Sequence, residues 1–363
     1  MDLQIDMCKF VNEKEWNSVV YNSKHGSIFH TIDWVNLLEK EYGRKVLIGA
    51  WLNGKLVGVF PSILGNRDFF TKYPFTKHIR SFRLGCDHGA PVSIVDNPKI
   101  IIEMLFKFQE TAKNVADKAT IVTPLNWNYE SEIETLGFKK RVASTFIVNL
   151  RKSWEELWSN LERNVRRNVR NAIKRGLTVR FAKNKYEMEK YHEMRLDTAS
   201  RQGLDPDLRS KTFYYSVWNR LCRKGLAKIL LVEFNGEIIS GAVILLFKKM
   251  ITGFCSVTLT KYRTYQPHSL LNWHIIEWGK NNDFEYFDLG GGLYNQNLYR
   301  FKRKWGGELN SYYIFCKDYP SMKYKLSKLY YWINYRLSAS YYAIRRTLYK
   351  LKKRFIKKRI SQF

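Results

Sequence analysis

The feature that most limits how this chain can fold is a short pattern that occurs twice. Residues 46–59 and residues 229–242 each consist of an apolar run, the dipeptide Asn-Gly and a second apolar run. Asn-Gly tolerates the positive φ angles that a type I′ turn requires at both central positions, so each segment predicts a β-hairpin. Two similar hairpins in one chain indicate a structural unit that is used twice.

The segments around the two hairpins also follow the same order. A helix-like stretch begins after Thr31 and ends at Gly43 before the first hairpin, and residues 213–222, ending at Gly225, precede the second. After the hairpins come predicted helices at about 98–116 and 268–280, which lead into predicted strands at 119–122 and 284–287. The chain is therefore expected to contain two copies of an α/β unit, ordered helix, hairpin, helix, strand.

The positive charge of the chain lies in its second half. The 62 Lys and Arg residues exceed the 33 Asp and Glu residues by 29. Residues 1–150 carry +3, residues 151–318 carry +13, and residues 319–363 carry a further +13 with no acidic residue. Such an excess calls for a polyanionic partner, either nucleic acid or an anionic lipid surface. The same three segments are the predicted first domain, second domain and tail.

Composition excludes several classes of protein. A hydrophobic content of 45% is ample for packed cores, so wholesale disorder is excluded. No stretch approaches the ~18 apolar residues of a spanning helix, and the N-terminus lacks the pattern of a signal peptide, so a cytoplasmic protein is expected. Five scattered cysteines argue for reduced thiols, and Cys86 and His88 have no second pair at metal-binding spacing. No nucleophile motif such as G-x-S-x-G occurs.

Residues 154–175 predict a basic helix that ends at Gly176. Apolar residues from Leu161 to Ile173 share one face. The cations on the other faces are Arg163, Arg166, Arg167, Arg170 and Lys174. Contact with phosphate is one interpretation, because the guanidinium group of arginine can donate two parallel hydrogen bonds to the oxygens of a phosphate. A solvated surface helix is the other.

A glycine run and a lysine cluster follow near the end of the second unit. Residues 287–292, FDLGGG, end a predicted strand in a loop where glycine permits a close approach or an unusual backbone conformation. Residues 300–307, RFKRKWGG, place four cations around two aromatic residues. Like charges around Lys302 favour a lowered pKa, and its ammonium could stabilise a developing oxyanion. A basic surface loop is the alternative interpretation.

Three motifs in the sequence resemble those of a known family. Residues 166–177 are similar to R-x-x-I-x-x-A-x-x-x-G-V, and residues 198–203 to T-x-x-R-x-G. Asp288 to Gly291, followed by residues 301–307, are similar to D-x-G-G and F-K-x-x-[FW]-G. Residues 27–34 carry a weaker likeness to F-x-[QT]-x-x-W. The chain thus resembles, over roughly residues 1–318, the FemABX aminoacyltransferases of peptidoglycan bridges and the broader FemAB-like (BioF2-like) acyltransferases of the GNAT superfamily.

The resemblance implies an α/β fold with two tandem GNAT-like domains, to which a basic helical tail is added. It implies transfer of an amino acid from aminoacyl-tRNA to an amine of a cell-wall precursor peptide, by a monomer without cofactor or metal. Phe301 and Lys302 would lie near the tRNA 3′ end, where Lys302 neutralises the oxyanion. Residues expected to bind substrate are Arg166, Arg201, Asp288, Gly290 and Gly291. Residues expected to bind tRNA or phosphate are Arg163, Arg167, Arg170, Arg300, Arg303 and Lys304.

The identity of the donor rests on one loop. Acyl-CoA enzymes of this superfamily hold the pyrophosphate with a Q/R-x-x-G-x-G/A loop at a helix start, where backbone N–H groups face the anion. Residues 263–269 occupy that place here, have no glycine, and include Pro267, which lacks an N–H. Aminoacyl-tRNA is therefore the favoured donor. The alternatives are an acyl-CoA-dependent N-acyltransferase acting on a sugar, lipid or peptide amine, and a basic binding module without activity.

The tail, residues 319–363, lies outside the resemblance. Its apolar residues recur mostly at intervals of three, four or seven among thirteen cations and many aromatic residues, which predicts one or two basic amphipathic helices. Such a helix suits an anionic membrane surface, and RNA binding or packing on the body are the alternatives. Attachment at the inner face of the cell membrane is favoured, because acceptors of such enzymes are often lipid-linked. The helical arm of the larger family members has no room in this chain.

Overall fold

The computed structural model describes residues 2–8, 10–65, 83–85, 89–202, 209–291 and 295–319, and these contain thirteen strands and ten α-helices. The strands are β1 (Leu3–Met7), β2 (Gly43–Leu52), β3 (Lys55–Gly65), β4 (Arg83–Gly85), β5 (Val92–Ser93), β6 (Lys118–Val122), β7 (Lys139–Asn149), β8 (Thr178–Phe181), β9 (Ala227–Phe234), β10 (Glu237–Phe247), β11 (Met250–Thr258), β12 (Tyr286–Asp288) and β13 (Glu308–Asp318). The helices are α1 (Glu13–Asn22), α2 (Ile32–Tyr42), α3 (Pro98–Val115), α4 (Glu130–Thr135), α5 (Trp154–Ser159), α6 (Arg163–Lys174), α7 (Glu187–Gln202), α8 (Lys211–Ser216), α9 (Pro267–Asn281) and α10 (Gln296–Arg303).

Both Asn-Gly hairpins form. Asn53 and Gly54 have φ angles of 49° and 77°, and Asn235 and Gly236 have φ angles of 49° and 76°. These positive values at both central positions are those of the predicted type I′ turn. The turns join β2 to β3 and β9 to β10 as antiparallel pairs, so the two predicted hairpins are confirmed.

The repeat extends to the whole sheet. Twelve strands lie in the order β1-β2-β3-β4-β6-β13-β7-β12-β11-β10-β9-β8, and β5 pairs with β3. From either end of the sheet, three antiparallel pairings are followed by one parallel pairing, β4 with β6 or β11 with β12, and then by an antiparallel one. The two units are therefore related by an approximate two-fold symmetry in strand order, and the predicted repeat is confirmed.

The two units exchange their last strands. β7, from the first half of the chain, pairs with β12 of the second half, while β13, from the second half, pairs with β6 of the first. β7 and β13 also pair with each other, from Ile147 opposite Glu308 to Lys139 opposite Cys316. The sheet is therefore continuous through the centre of the molecule, and the division of the chain near residue 150 stays a prediction.

Three hydrophobic clusters hold the helices on this sheet. One lies around α3 in the first half, and a second lies around α6 and α9 in the second half. The third joins α1 and α2 to α7 and α8, so it binds the two halves together. In it the rings of Trp34 and Phe254 meet edge to face at 5.2 Å between centroids. A nearby ion pair of 2.5 Å links the buried Asp33 carboxylate to Lys224 of the other half.

The predicted single helix over 154–175 is wrong, because the chain forms two helices. Asn160 ends α5, and Glu162 has an extended conformation (φ −57°, ψ 147°) before α6 begins. The Glu162 N–H donates to the carbonyl oxygen of Lys304, 3.0 Å away, so a distant segment takes the bond that a continuous helix would use. Gly176 does follow the helix in a left-handed conformation, with φ 82°, as predicted.

Several predicted elements lie partly or wholly outside the described residues. These are residues 320–363 of the tail, Cys86, His88, Gly203 and Gly292.

Within the described ranges, no helix combines the length and the apolar character that crossing a membrane demands. The helices predicted at 98–116 and 268–280 are present as α3 and α9.

Candidate functional site

The site begins where two parallel strands part. β11 and β12 pair from Met250 opposite Tyr286 to Thr252 opposite Asp288. Beyond this point β11 continues to Thr258, whereas β12 ends at Asp288. Gly290 follows with a φ of 80°, and a Cβ atom there would lie 2.4 Å from the carbonyl oxygen of Gly253. Glycine is therefore required here for both conformation and space. The close approach predicted for this loop is made to the chain's own backbone.

Asp288 holds the start of this glycine loop. Its Oδ1 atom accepts a hydrogen bond from the Gly290 N–H at 2.8 Å and another from the hydroxyl of Thr145. Thr145 lies on β7, is 2% exposed, and was not singled out from the sequence. Its partner is 143 residues away, so no local pattern could indicate it. The carboxylate predicted to bind substrate is thus engaged in positioning the loop.

Lys302 reaches this loop from α10. Its Nζ atom donates to the carbonyl oxygen of Gly290 at 2.5 Å and to that of Gly291 at 2.8 Å. The residue is 8% exposed, and burial lowers the pKa of its ammonium to about 8, although the charge of Asp288 acts in the opposite direction. An ammonium has three N–H donors, so one remains for a third oxygen. Such a buried donor is the kind of group that stabilises a developing oxyanion.

Two further rings, those of His268 and Trp305, lie beside Phe301 of α10. The Phe301 ring lies 6.4 Å from that of His268 and 6.1 Å from that of Trp305, measured between centroids. Burial, together with the positive charges of Arg201 and Arg263, lowers the pKa of His268 to about 4. The structure thus brings Arg201, at the end of α7, towards the first turn of α9.

Arg166 is hydrogen-bonded to the backbone around the connection between α5 and α6. Its Nη1 atom donates to the carbonyl oxygens of Trp158, Ser159 and Leu161 at 3.3, 2.7 and 2.8 Å. Ser159 is the last residue of α5 and Leu161 lies in the connection to α6, so their carbonyl oxygens lie where a helix leaves such groups without intrahelical partners. The side chain therefore stabilises the break between α5 and α6, and this contact accounts for an arginine at that position of the motif.

The rest of the F-K-x-x-W-G-G motif supports the fold. Trp305 is 1% exposed in the core of the second half. Gly306 has a φ of 69°, and a Cβ atom there would lie 2.7 Å from the Cβ of Asn160. A Cβ atom on Gly307 would lie 3.1 Å from the backbone of Ile147. These contacts hold the end of α10 against the α5–α6 connection and against β7.

The predicted phosphate-binding cations lie on the surface next to this site. Arg163, Arg167 and Arg170 are exposed on α6, and Arg300 and Arg303 are exposed on α10. The Arg170 guanidinium lies 5.3 Å from the ring centroid of Trp158. Arg303 and Lys304 form long ion pairs with Glu162, at 3.8 and 3.9 Å. The start of α6 and the end of α10 therefore meet at Glu162.

The start of α9 differs from a pyrophosphate-binding loop. Gln266 precedes it in a left-handed conformation, with a φ of 64°, and Pro267 is its first residue. The N–H groups of Ser269 and Leu270 both donate to the carbonyl oxygen of Gln266, at 3.0 and 3.5 Å. Few backbone donors are thus left to face an anion. Among the described residues, no group of three or more His, Cys, Asp or Glu side chains could hold a metal ion.

The fold and one domain have known counterparts. Residues 159–303 match the family model described as an acetyltransferase (GNAT) domain. No curated protein sequence matches the chain at a significant level. The crystal structure of FemX is 16% identical, and the match covers 91% of this chain and 99% of that one with a TM-score of 0.68.

Two further solved structures share the arrangement. A tandem GNAT protein from the clavulanic acid biosynthesis pathway is 10% identical, with 88% of this chain and 99% of that chain covered and a TM-score of 0.57. The C-terminal domain (DUF2156) of a putative lysylphosphatidylglycerol synthetase from Agrobacterium fabrum is 13% identical, with 87% and 94% covered and a TM-score of 0.57. At these identities the likeness shows the fold, and the predicted tandem GNAT fold is confirmed. Residues 159–303 thus match the acetyltransferase (GNAT) domain family, and the chain shares its overall fold with FemX and with a tandem GNAT protein.

Proposed function

We propose that the protein transfers an aminoacyl group from aminoacyl-tRNA to an amine of a cell-wall precursor peptide. The observation that carries this proposal is the Lys302 ammonium, which is buried and anchored on the carbonyls of Gly290 and Gly291. It lies at the point where β11 and β12 part, and Phe301 stands beside it. The motif resemblance to FemABX enzymes supplies the substrate class, because these are the residues that carry it.

The proposed reaction needs no nucleophilic side chain. The neutral amine of the acceptor attacks the carbonyl carbon of the aminoacyl ester, and the carbonyl oxygen becomes an oxyanion. The third N–H of Lys302 donates to that oxygen. When the intermediate collapses, the C–N bond remains, the C–O bond to the ribose breaks, and the proton of the amine ends on the ribose hydroxyl. Positioning and electrostatic stabilisation carry the rate.

The first turn of α9 supports a donor other than CoA. Pro267 has no N–H, and the N–H groups of Ser269 and Leu270 are engaged with Gln266. A pyrophosphate would find few donors here. The exposed cations of α6 and α10 offer instead a surface for a longer polyanion.

An acyl-CoA-dependent N-acyltransferase is the second candidate. It is favoured by the match of residues 159–303 to an acetyltransferase domain. Its acceptor would be an amine of a sugar, lipid or peptide. The same Lys302 would then stabilise the oxyanion formed on a thioester.

A donor assay tests the proposal. The purified full chain is given an amine acceptor mixture containing cell-wall precursor peptides, with either charged tRNA or acyl-CoA. Product from charged tRNA alone is the expected result. Product from acyl-CoA alone would reject the tRNA donor and favour the second candidate. Lys302→Met serves as the inactive control in both reactions.

A further inference from the structure

A buried arginine on α7 has no partner in the part of the chain that the structure describes. Arg195 is 4% exposed. Within the described ranges its guanidinium forms no hydrogen bond, ion pair or ring contact. Its nitrogens are nevertheless not fully enclosed, so they face a space that a ligand can enter. Arginine stays protonated in proteins, and an unbalanced buried charge is costly, so the stability of the fold does not account for this residue.

The acidic residues of the same helix are all engaged elsewhere. Each of the four carboxylates of α7 has a partner at 2.6–3.1 Å. The pairs are Glu187 with Arg180, Glu189 with Lys211, Glu193 with Lys190, and Asp197 with the backbone N–H of Thr260. The charge that would balance Arg195 is therefore not on its own helix.

Two hydrogen bonds fix the course of α7 over the sheet. The Tyr191 hydroxyl donates to the carbonyl oxygen of Cys255 at 2.7 Å, and the Thr258 N–H donates to the Thr198 hydroxyl at 3.2 Å. Seven residues of a helix and three residues of a strand both span about 10 Å, so α7 runs along β11 between these bonds. Arg195 lies between them, over the part of β11 that continues beyond β12.

The guanidinium lies near the level of Cys255. Side chains on a helix lean towards its N-terminus, which here is the end at Tyr191. Burial raises the pKa of Tyr214 on α8, and the nearby charge of Arg195 acts in the opposite direction. The Tyr214 hydroxyl is 3.7 Å from the Cys255 Sγ atom. Cys255 follows Gly253 by two residues, about 7 Å along β11, and Gly253 contacts the glycine loop.

Arg195 and Lys302 lie on opposite faces of the sheet. On β10, Val243 packs with α7 and α8, whereas the next residue, Ile244, packs with α6 and α9. Successive side chains of a strand point to opposite faces. The helix α10, which carries Lys302, packs with α6 and α9 through Phe301. A molecule that enters the gap between β11 and β12 from the α7 side would thus pass Arg195 before it reaches the ammonium of Lys302.

We infer that Arg195 binds a carboxylate of the acceptor and thereby selects which amines reach the gap. One guanidinium matches one carboxylate in charge, and its planar fork matches the two oxygens in geometry. The spacing along β11 suits a carboxylate that lies at least about 7 Å from the reacting amine. This inference deepens the proposed function and rests on it for the assignment of the ligand to the acceptor.

A binding cycle tests the inference without any turnover. The probes are acetyl-Ala-Lys-Ala, which has one amine and one free carboxylate, and the same peptide with a C-terminal amide. Titration calorimetry on the full chain should show about tenfold or more tighter binding of the carboxylate form, the scale of one charge-assisted hydrogen-bonded pair. Arg195→Met should bind the two peptides equally. Arg195→Lys should keep part of the preference, because it keeps the charge.

The matched control is Arg220→Met. Arg220 is an exposed arginine of the helical segment Val217–Leu221 that follows α8, and its replacement leaves Arg195 in place. This variant should keep the full preference for the carboxylate peptide. Equal binding of both peptides by the parent, or an undiminished preference in Arg195→Met, would overturn the inference. Displacement of the carboxylate peptide by inorganic phosphate at lower concentrations than by acetate would assign the site to phosphate and also overturn it.

Thermal unfolding distinguishes a binding residue from a structural one. Arg195→Met removes a buried charge without a partner, so the unfolding midpoint should stay unchanged or rise. Arg180→Met is the contrast, because Arg180 pairs with Glu187 and Glu233 at 2.6 and 2.7 Å, and its midpoint should fall. A fall in Arg195→Met as large as that in Arg180→Met would show that Arg195 supports the fold and would contradict the inference.

A kinetic comparison separates this inference from the proposed function. With a donor that the parent uses, Arg195→Met should raise the KM for the carboxylate peptide about tenfold and leave the KM for the amide peptide unchanged. Transfer by the parent with equal KM for both peptides would contradict the inference while the proposed function stands. If charged tRNA yields no product, the proposed function fails, and the binding cycle alone then decides the role of Arg195.

Discussion

The Nζ atom of Lys302 lies 2.5 Å from the carbonyl oxygen of Gly290, although the two residues belong to different elements of the fold. This bond joins α10 to the loop that ends β12. It orients the ammonium towards the gap between β11 and β12, and it also keeps the charged form of a buried side chain hydrogen-bonded. The relationship makes Lys302 the residue whose replacement is most informative.

Lys302→Met should reduce turnover about 10²-fold or more, which is the scale of losing one oxyanion donor. Methionine fills a similar volume without the N–H groups, so the fold should be retained. Turnover is measured beside the thermal unfolding midpoint. Lys317→Met is the matched control, because Lys317 also donates to a backbone carbonyl oxygen, that of Leu136, but lies where β13 pairs with β6. Equal activity in both variants would remove Lys302 from the mechanism.

The turnover rate should fall on the alkaline side of its pH profile, near pH 8. Burial lowers the pKa of Lys302 to about 8, so the ammonium loses its proton as the pH rises through that value. A protonated lysine is required to donate to the oxyanion, so the rate decreases there. Lys302→Arg remains charged to much higher pH and should shift the alkaline limb upward. A limb that does not move would mean that another group causes it.

Replacements at Asp288 and Thr145 should distinguish two effects. One is the effect of the Asp288 charge on the pKa of Lys302, and the other is the effect of the position of Asp288 on kcat. The negative charge of Asp288 raises the pKa of Lys302. Asp288→Asn should therefore shift the alkaline limb to lower pH. Thr145→Val removes the hydroxyl that donates to Asp288 but leaves the carboxylate, so kcat should fall without a comparable shift.

Thr145→Ser is the control for that pair, because it retains the hydroxyl. It should restore most of the kcat that Thr145→Val loses. The comparison is made from pH–rate profiles with saturating substrate. A shift of the limb in Thr145→Val as large as that in Asp288→Asn would contradict a positioning role for Thr145.

Gly290→Ala should destabilise the protein more than Gly54→Ala. Both glycines have positive φ angles, 80° and 77°, so both substitutions strain the backbone by about 1–3 kcal/mol. The Cβ at residue 290 would also lie 2.4 Å from the Gly253 carbonyl oxygen, whereas at residue 54 nothing lies within 4 Å. The additional loss should be about 1–3 kcal/mol, as in overpacked sites. Denaturant unfolding measures both, and equal losses would exclude the steric contribution.

The tail prediction is tested by removal. Deletion of residues 319–363 should abolish binding to vesicles of anionic phospholipid, since thirteen cations at about 1 kcal/mol each would be lost. A vesicle of neutral phospholipid is the control. Binding that persists after the deletion would place the membrane contact elsewhere in the chain or show that the tail serves another purpose.

The sequence by itself determined the repeated unit and the identity of the key motif. Asn-Gly between apolar runs specifies a type I′ hairpin through local backbone energetics, so both hairpins could be predicted without any partner strand. The same holds for Gly176, where nothing lies within 4 Å of a Cβ atom placed at that residue and a local ending of a helix needs no distant contact. Lys302 and Gly290 stood out because charge and glycine runs are visible in the sequence.

The tertiary structure decided what these residues touch. The bond from Thr145 to Asp288 spans 143 residues, the exchange of β7 and β13 joins the two halves, and the break at Glu162 depends on a carbonyl of Lys304. None of these has a local signal, because each hydrogen bond or pairing is formed by segments that only the folded chain brings together. Arg166 likewise looked like one more cation of the helix until its three carbonyl partners placed it at the end of α5.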